Sequence, residues 1–375
     1  PFGAHSIYRG HQLSAKLVLF SNFRKKWCAD CSITKDKHYI CSTMAKRPFT
    51  PIPPMAELPP AETINVQELL DKYLAGEIDL ICVLGPTASG KTRYAVQLAR
   101  QINTILKANK AEIISADSRQ VYRGMDIGTG KDLNEYEEIP YHLMDITDAG
   151  TKYNIFEYQR DFEKAYRDIV DRGCIPILCG GSGLYIEAAT CGYSLPEVPP
   201  DPQLREELEN KSDEELIAQL ASLKPLHNNT DYDTRKRLIR ALEIAIYEAE
   251  HPVQHTSFLP KNTYYIGTLV TREVRNERID RRLDARLEEG MVREISSLID
   301  GTHPALAPAH KPVPVEDLIY YGLEYKFVTL YLTGELTFDQ MRNQLATAIH
   351  QFAKRQMTWF RGMERKGICI HWTNV

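Results

Sequence analysis

No apolar run in this chain approaches the roughly 18 residues that a membrane-crossing helix needs. The longest, such as Leu80–Gly85 and Ile175–Cys179, have the length of buried strands, so no helical membrane span is expected. There is no excess of basic charge either, the formal net charge being −4. That excludes a globally basic nucleic-acid coat but not a local basic footprint. Cysteine is sparse, with eight in 375 residues. Cys82, Cys174 and Cys179 lie in apolar segments and read as buried free thiols, while Cys191 and Cys369 show no pairing logic. Cys28, Cys31 and Cys41 stand near His38, but a fourth zinc ligand at regular spacing is missing. The pattern points to a reduced, cytoplasmic protein. Internal repeats are absent, and so is low-complexity sequence beyond one proline-rich stretch at 46–63.

What is present is an ordinary globular composition, 43% hydrophobic and 26% charged, with room for one large domain or two modest ones. The chain opens with Pro1, and Met44 is its first methionine. Residues 1–43 show no clear periodicity; they read as translated upstream sequence, an artefact or a processed targeting segment. Residues 1–64 together read as a disordered or artefactual extension, with the prolines as an extended tether. Ordered structure is expected from Asn65, where Val66, Leu69, Leu70 and Tyr73 have helical spacing.

From residue 79 strands and helices alternate, the mark of a parallel α/β sheet. Strands are expected at Leu80–Leu84, Glu112–Ala116, His142–Ile146 and Ile175–Cys179, with helices at Gly90–Asn103, Asn154–Arg172 and Gly183–Thr190. Prolines at 196, 199, 200 and 202 mark a boundary. Residues 196–233 read as a small helical insertion, with helices at Leu204–Glu209 and Asp213–Leu223 and a polar loop at Asn228–Asp233. Residues 65–195 and 234–375 are then the two parts of the core. The second part begins with a helix at Arg235–Glu248 and a strand at Tyr264–Val270. Helices at Arg275–Glu289, Met291–Ile299, Val315–Thr333 and Phe338–Phe360 follow, and a last strand at Ile368–Trp372. Basic residues cluster at Arg235, Lys236, Arg237 and Arg240, and again from Lys354 to Lys366; such runs form solvated faces or a nucleic-acid footprint.

Gly85-Pro86-Thr87-Ala88-Ser89-Gly90-Lys91-Thr92 fits GxxxxGK[ST] without departure, between a strand and a helix. Glycines let the backbone wrap a phosphate with its N–H groups, and the helix N-terminus adds partial positive charge. Lys91 neutralises phosphate oxygens, and the Thr92 hydroxyl is placed to hold Mg²⁺. The loop identifies a phosphate and not a reaction. A nucleotide hydrolase usually adds a strand ending in a Mg²⁺-binding acid. The nearest match, Leu143-Met144-Asp145, is short and set among polar residues, and Ile175–Cys179 ends in Gly180-Gly181 with no carboxylate.

The second strand ends at Asp117. Carboxyl ends of parallel strands face the ligand crevice, so Asp117 could deprotonate a nucleophile or simply cap a helix N-terminus. The glycine-bearing run Arg123–Lys131 reads as a loop over the same crevice.

GPTASGKT, ISADSRQVYRGMDIGTGK, PYHLMDI, PILCGGSGLYI, RKRLIRALEI and AKRQMTWFR, in this order over about residues 79–372, resemble the tRNA dimethylallyltransferase (tRNA isopentenyltransferase) family. The resemblance implies transfer of a dimethylallyl group from dimethylallyl diphosphate to N6 of the adenine 3′ of the anticodon, with Mg²⁺ as cofactor and tRNA as partner. It implies that Gly85–Thr92 cradles the diphosphate, that Arg272 contacts it, and that Asp117 is the general base. It also implies tRNA contact by Asp117, Ser118, Arg119, Gln120 and Ser182, and by Lys236, Arg237, Leu238, Ile239 and Arg240. Ser182 stands where many members have Thr. At Ile319-Tyr320-Tyr321-Gly322-Leu323-Glu324-Tyr325 the chain departs from the family's GYxE-like run, and it lacks the Cys/His finger of eukaryotic members. Tyr122 and Trp359 could stack on unstacked bases or pack in the core. A monomer suffices for this chemistry. Competing readings are prenylation of a free adenine nucleotide, a small-molecule kinase with Arg119 and Arg123 in a lid, and an RNA-binding relative without catalysis.

Overall fold

The computed structural model describes residues 58–191, 198–224, 226, 234–251, 260–306 and 311–375. Cys28, Cys31, Cys41, His38 and the loop 228–233 lie outside the described residues. The first helix, α1 (Val66–Leu74), begins where the spacing predicts, with the Asn65 side chain accepting from the N–H groups of Gln67 and Glu68.

The core is a six-stranded, wholly parallel sheet. Its strands are β1 (Leu80–Leu84), β2 (Ala111–Ala116), β4 (Tyr141–His142), β6 (Ile175–Gly180), β7 (Thr263–Leu269) and β8 (Ile370–Asn374), in the order β4-β2-β6-β1-β7-β8. Two-residue strands β3 (Tyr122–Arg123) and β5 (Thr147–Asp148) pair separately. Every residue of β1, β2 and β6 is buried, because helices cover both faces of a parallel sheet. Alternation along β1 divides its side chains between two cores. Leu80, Cys82 and Leu84 pack with Tyr158, Phe162 and Tyr166 of α3 (Ile155–Asp171) and with Phe360 of the long helix Phe338–Arg365. Ile81 and Val83 pack with α1 and with Ala95, Val96 and Ile102 of α2 (Lys91–Leu106). The fold class read from the sequence is the one observed.

The helix α4 (Gly183–Thr190) follows β6. Three more, α5 (Pro202–Glu209), α6 (Asp213–Leu223) and α7 (Arg235–Glu250), form a unit with its own core of Leu208, Leu216, Leu220, Leu238, Leu242 and Ala245. The apolar face of α7 therefore joins α7 to the inserted helices, whereas the sequence reading assigned it to the second part of the core. After β7 come α8 (Arg272–Glu289), α9 (Met291–Ile299), α10 (Val315–Tyr321), α11 (Leu323–Leu332) and α12 (Phe338–Arg365). They enclose a third core with Tyr122 and Met125.

Several expected elements differ, the helix read at 275–289 starting at Arg272 and the one read at 338–360 running on to Arg365. The strand read at 142–146 stops after His142, because Leu143 (φ 61°) and Asp145 (φ 54°) are left-handed and break the ladder. The helix read at 315–333 is interrupted at Gly322 (φ 78°, ψ −173°), which restarts it in a new direction. The last strand is displaced by two residues to Ile370–Asn374.

Candidate active site

At the carboxyl ends of β1, β2 and β6 the sheet opens into a cleft of about 1240 Å³. The phosphate loop joins β1 to α2 and forms one wall through Thr87, Ala88, Gly90, Lys91 and Thr92. Gly90 takes φ 84° and Ala88 φ 61°; the reversal brings the start of α2, with its unpaired N–H groups, to the cleft. Gly85, Pro86 and Ser89 support the loop from behind rather than lining the space. Ser89 is fully buried, its hydroxyl 2.6 Å from that of Thr268 on β7. Gln356 of α12, 7% exposed, braces the loop from the other side. Its Oε1 accepts the Thr87 N–H at 2.8 Å, and its Nε2 donates to the Gly181 carbonyl at 2.8 Å. Burial lowers the pKa of the Lys91 ammonium below its usual range.

Asp117 enters the cleft from the end of β2, together with Ser118, Arg119 and Gln120. Asp117 Oδ1 accepts the Arg119 N–H at 2.9 Å, so it caps a turn and not the helix N-terminus that the sequence offered as the alternative. The Ser182 hydroxyl accepts the Ser118 N–H at 3.2 Å, tying this turn to the start of α4. Gln120 Nε2 donates to the Gly130 carbonyl at 3.1 Å. The Arg119 guanidinium lies over the Tyr321 ring, 5.5 Å from its centroid.

The loop through Gly128 and Gly130 closes a third side. Glu294 of α9 accepts the N–H groups of Asp126 (3.0 Å), Ile127 (2.7 Å) and Gly128 (3.1 Å), and the Tyr325 hydroxyl at 2.7 Å. Lys131 is 1% exposed and pairs with both Asp126 and Asp145, also donating to the Tyr122 carbonyl at 2.7 Å. Asp145, the best sequence match to a Mg²⁺-binding strand acid, is thus paired to a buried lysine and does not line the cleft.

Sequence reasoning missed the fourth wall. Arg278, Arg281, Arg282 and Arg286 of α8 line the cleft; Arg278, Arg282 and Arg286 recur every fourth residue and so share one helix face. That spacing was the available signal. Arg272, read as the diphosphate contact, is exposed at the first turn of α8 and does not line the cleft. Three carboxyls, Asp132, Glu135 and Glu324, sit among the arginines. Burial raises the pKa of Glu324, with Arg286 and Arg282 opposing the shift. Burial also raises Glu135, reinforced by Asp132.

The basic run on α7 is more internal than its composition suggests. Leu238 and Ile239 are buried in the small helical core. Arg240 pairs with Glu243, which also receives Arg205 (2.8 Å), and donates to the Val198 carbonyl at 2.9 Å. Lys236 and Arg237 are exposed. Tyr122 is buried, and Trp359 is 40% exposed with its ring against Gly183.

Residues 120–363 match the family model described as IPP transferase. The chain is 55% identical over 304 residues to tRNA dimethylallyltransferase 2 of Bacteroides fragilis, covering 80% of this chain and 94% of that one. It is 56% identical over 300 residues to tRNA dimethylallyltransferase 2 of Porphyromonas gingivalis, covering 79% and 94%. Among solved structures it resembles the full-length tRNA isopentenylpyrophosphate transferase of Bacillus halodurans. There the TM-score is 0.54 and the identity 32%, over 79% of this chain and 89% of that one. It also resembles a eukaryotic dimethylallyltransferase acting on tRNA, with a TM-score of 0.58 and 25% identity, over 75% and 69%.

Proposed function

The chain belongs to the IPP transferase family, and on that footing we propose that its cleft moves the dimethylallyl group of dimethylallyl diphosphate onto N6 of the adenine 3′ of a tRNA anticodon, releasing diphosphate. One observation carries the assignment to this cleft: an intact phosphate loop, a carboxylate at a strand end and a row of arginines converge on one space. Gly85–Thr92 grips the diphosphate through backbone N–H groups and Lys91. Arg278 and Arg282 take the part that the sequence reading gave to Arg272. As the C1–O bond of the donor breaks, the electron pair leaves on the diphosphate oxygen, where these cations stabilise it. The N6 lone pair forms the new C–N bond, and Asp117 accepts the N6 proton.

Among the described residues no group of three or more His, Cys, Asp and Glu gathers to hold a metal. The Thr92 hydroxyl, with the substrate's own phosphate oxygens and water, would hold Mg²⁺. Bound there, Mg²⁺ would neutralise leaving-group charge. Ser118, Arg119 and Gln120 border the cleft where the acceptor base must enter unstacked. Ser182 supports that turn, and exposed Lys236 and Arg237 on the helical unit offer charge to the tRNA backbone. A monomer suffices for this chemistry, and a cytoplasmic enzyme is the reading that goes with it. A free adenine nucleotide or a kinase reaction is disfavoured by similarity to tRNA-named enzymes over 80% of the chain.

The test is to incubate the protein with radiolabelled dimethylallyl diphosphate and Mg²⁺, offering AMP, ATP or unmodified tRNA. Label should appear in tRNA alone. Label in AMP with none in tRNA, or phosphate moving from ATP, would overturn the proposal.

A further inference from the structure

Arg286 is the most deeply set of the cleft arginines. It is 7% exposed, and its Nη2 has no hydrogen-bond partner among the described residues. The nearest carboxylate oxygen, on Asp132, stands 3.7 Å from Nη2, beyond hydrogen-bonding reach. A buried guanidinium short of partners is costly, whereas an apolar residue of similar volume there is often neutral or stabilising. Burial pulls its pKa down to about 10, which still leaves it charged at neutral pH.

The surroundings show what this charge faces. A narrow space of about 20 Å³ has Thr87 and Ala88 of the phosphate loop on one side and Arg282, Arg286 and Glu324 on the other. Ile279, Leu283 and Ile349 complete it, so the charges there are poorly screened. Gly130 leaves room for the guanidiniums. A Cβ at that position would lie 1.4 Å from Arg286 Nη2 and 2.4 Å from Arg282 Nη2. Glu324 and Asp132 are the opposing charges, Glu324 entering from the first turn of α11 just after the break at Gly322.

We infer that Arg286 is a further anion-binding residue of this site, and that Arg286 and Glu324 act as an opposed pair setting how tightly a diphosphate is held against Thr87–Ala88. Arg286 adds attraction for a polyanion and Glu324 subtracts from it, so the released diphosphate can leave. The inference rests on the proposed function for its ligand class, and its test stands apart from the transfer assay.

Inorganic diphosphate, with Mg²⁺, is titrated calorimetrically into the full chain and into Arg286→Met, Glu324→Gln and Arg293→Met. Arg293 is exposed on α9 and serves as control. Arg286→Met should weaken diphosphate binding at least tenfold without lowering the unfolding temperature, since it removes a buried charge whose pairing to Asp132 is long, at 3.7 Å. Glu324→Gln should tighten it severalfold and slow diphosphate release in stopped flow. Arg293→Met should match the parent. Unchanged affinity in Arg286→Met would overturn the inference, as would a lowered unfolding temperature with affinity intact, the mark of a purely structural role. Glu324→Gln binding no tighter than the parent would remove the opposed pair. A parent protein that binds no diphosphate would instead count against the proposed function itself.

Discussion

Gln356 holds the phosphate loop by its Thr87 N–H while donating to the carbonyl of Gly181. One side chain from the penultimate element of the chain thereby fixes two turns that come from β1 and β6. Replacing it with Ala leaves a buried C=O unpaired, at a cost of about 1–3 kcal/mol, and turns the part-buried Thr87 N–H over to cleft water. Gln356→Ala should lower the unfolding temperature and raise KM for the prenyl donor more than it lowers kcat. Steady-state kinetics over a donor titration check this; an unchanged KM would show that the loop holds itself.

Asp117 has two tasks, capping its turn through Oδ1 and, as proposed, accepting a proton. Asn can accept the same Arg119 N–H but cannot act as a base. Asp117→Asn should therefore keep tRNA and diphosphate binding and the unfolding temperature while turnover falls about 10²–10⁴-fold. Single-turnover label transfer and filter binding separate the two; full turnover in this variant would leave Asp117 only its cap.

Glu294 satisfies three successive N–H groups and the Tyr325 hydroxyl. Its loss would free the loop that carries Gly128 and Gly130 along the cleft. Glu294→Ala should destabilise the fold by about 1–3 kcal/mol for each donor left buried without an acceptor, the Gly128 N–H and the Tyr325 hydroxyl being the buried ones. Hydrogen exchange should rise first at residues 126–130, as peptide-resolved mass spectrometry would show.

Glu112 on β2 is held by Arg172, first through a hydrogen bond, and also by His142 at 2.7 Å; its pKa falls to about 2. A carboxylate with a depressed folded pKa contributes stability above its unfolded value, and that stability is lost as pH falls through the folded value. The window therefore runs from about 4.5 down to about 2. Glu112→Gln should be less stable than the parent at pH 7, with the gap closing across that window. Chemical denaturation at stepped pH would reveal a constant gap if the pairing were irrelevant.

Local sequence determined a good deal here. The short apolar runs of β1 and β6, bounded by turn residues, read as buried strands, and β2, with Glu112 and Ser115 in it, was legible from the alternation of strands and helices. So was the phosphate loop, whose chemistry lies in eight consecutive residues. Asp117 followed from its place at a strand end. Other features depended on residues far apart in the chain. The helix break at Gly322 and the early end of β4 come from single left-handed or bridging residues inside otherwise periodic text. The assignment of α7 to the inserted helices turned on which neighbours its apolar face would meet, and periodicity names a face without naming its partner. The arginine row was visible as a spacing of four, but nothing in the sequence said that this face of α8 would look into the cleft and that Arg272 would not. The same holds for Gln356, which meets the phosphate loop from 269 residues away. The sequence alone thus determined which GxxxxGK[ST] loop and which strand-end carboxylate this chain carries, because their geometry is local. Tertiary structure alone decided which cations and braces surround them, because burial, charge and hydrogen bonding between distant elements depend on how helices pack around the sheet.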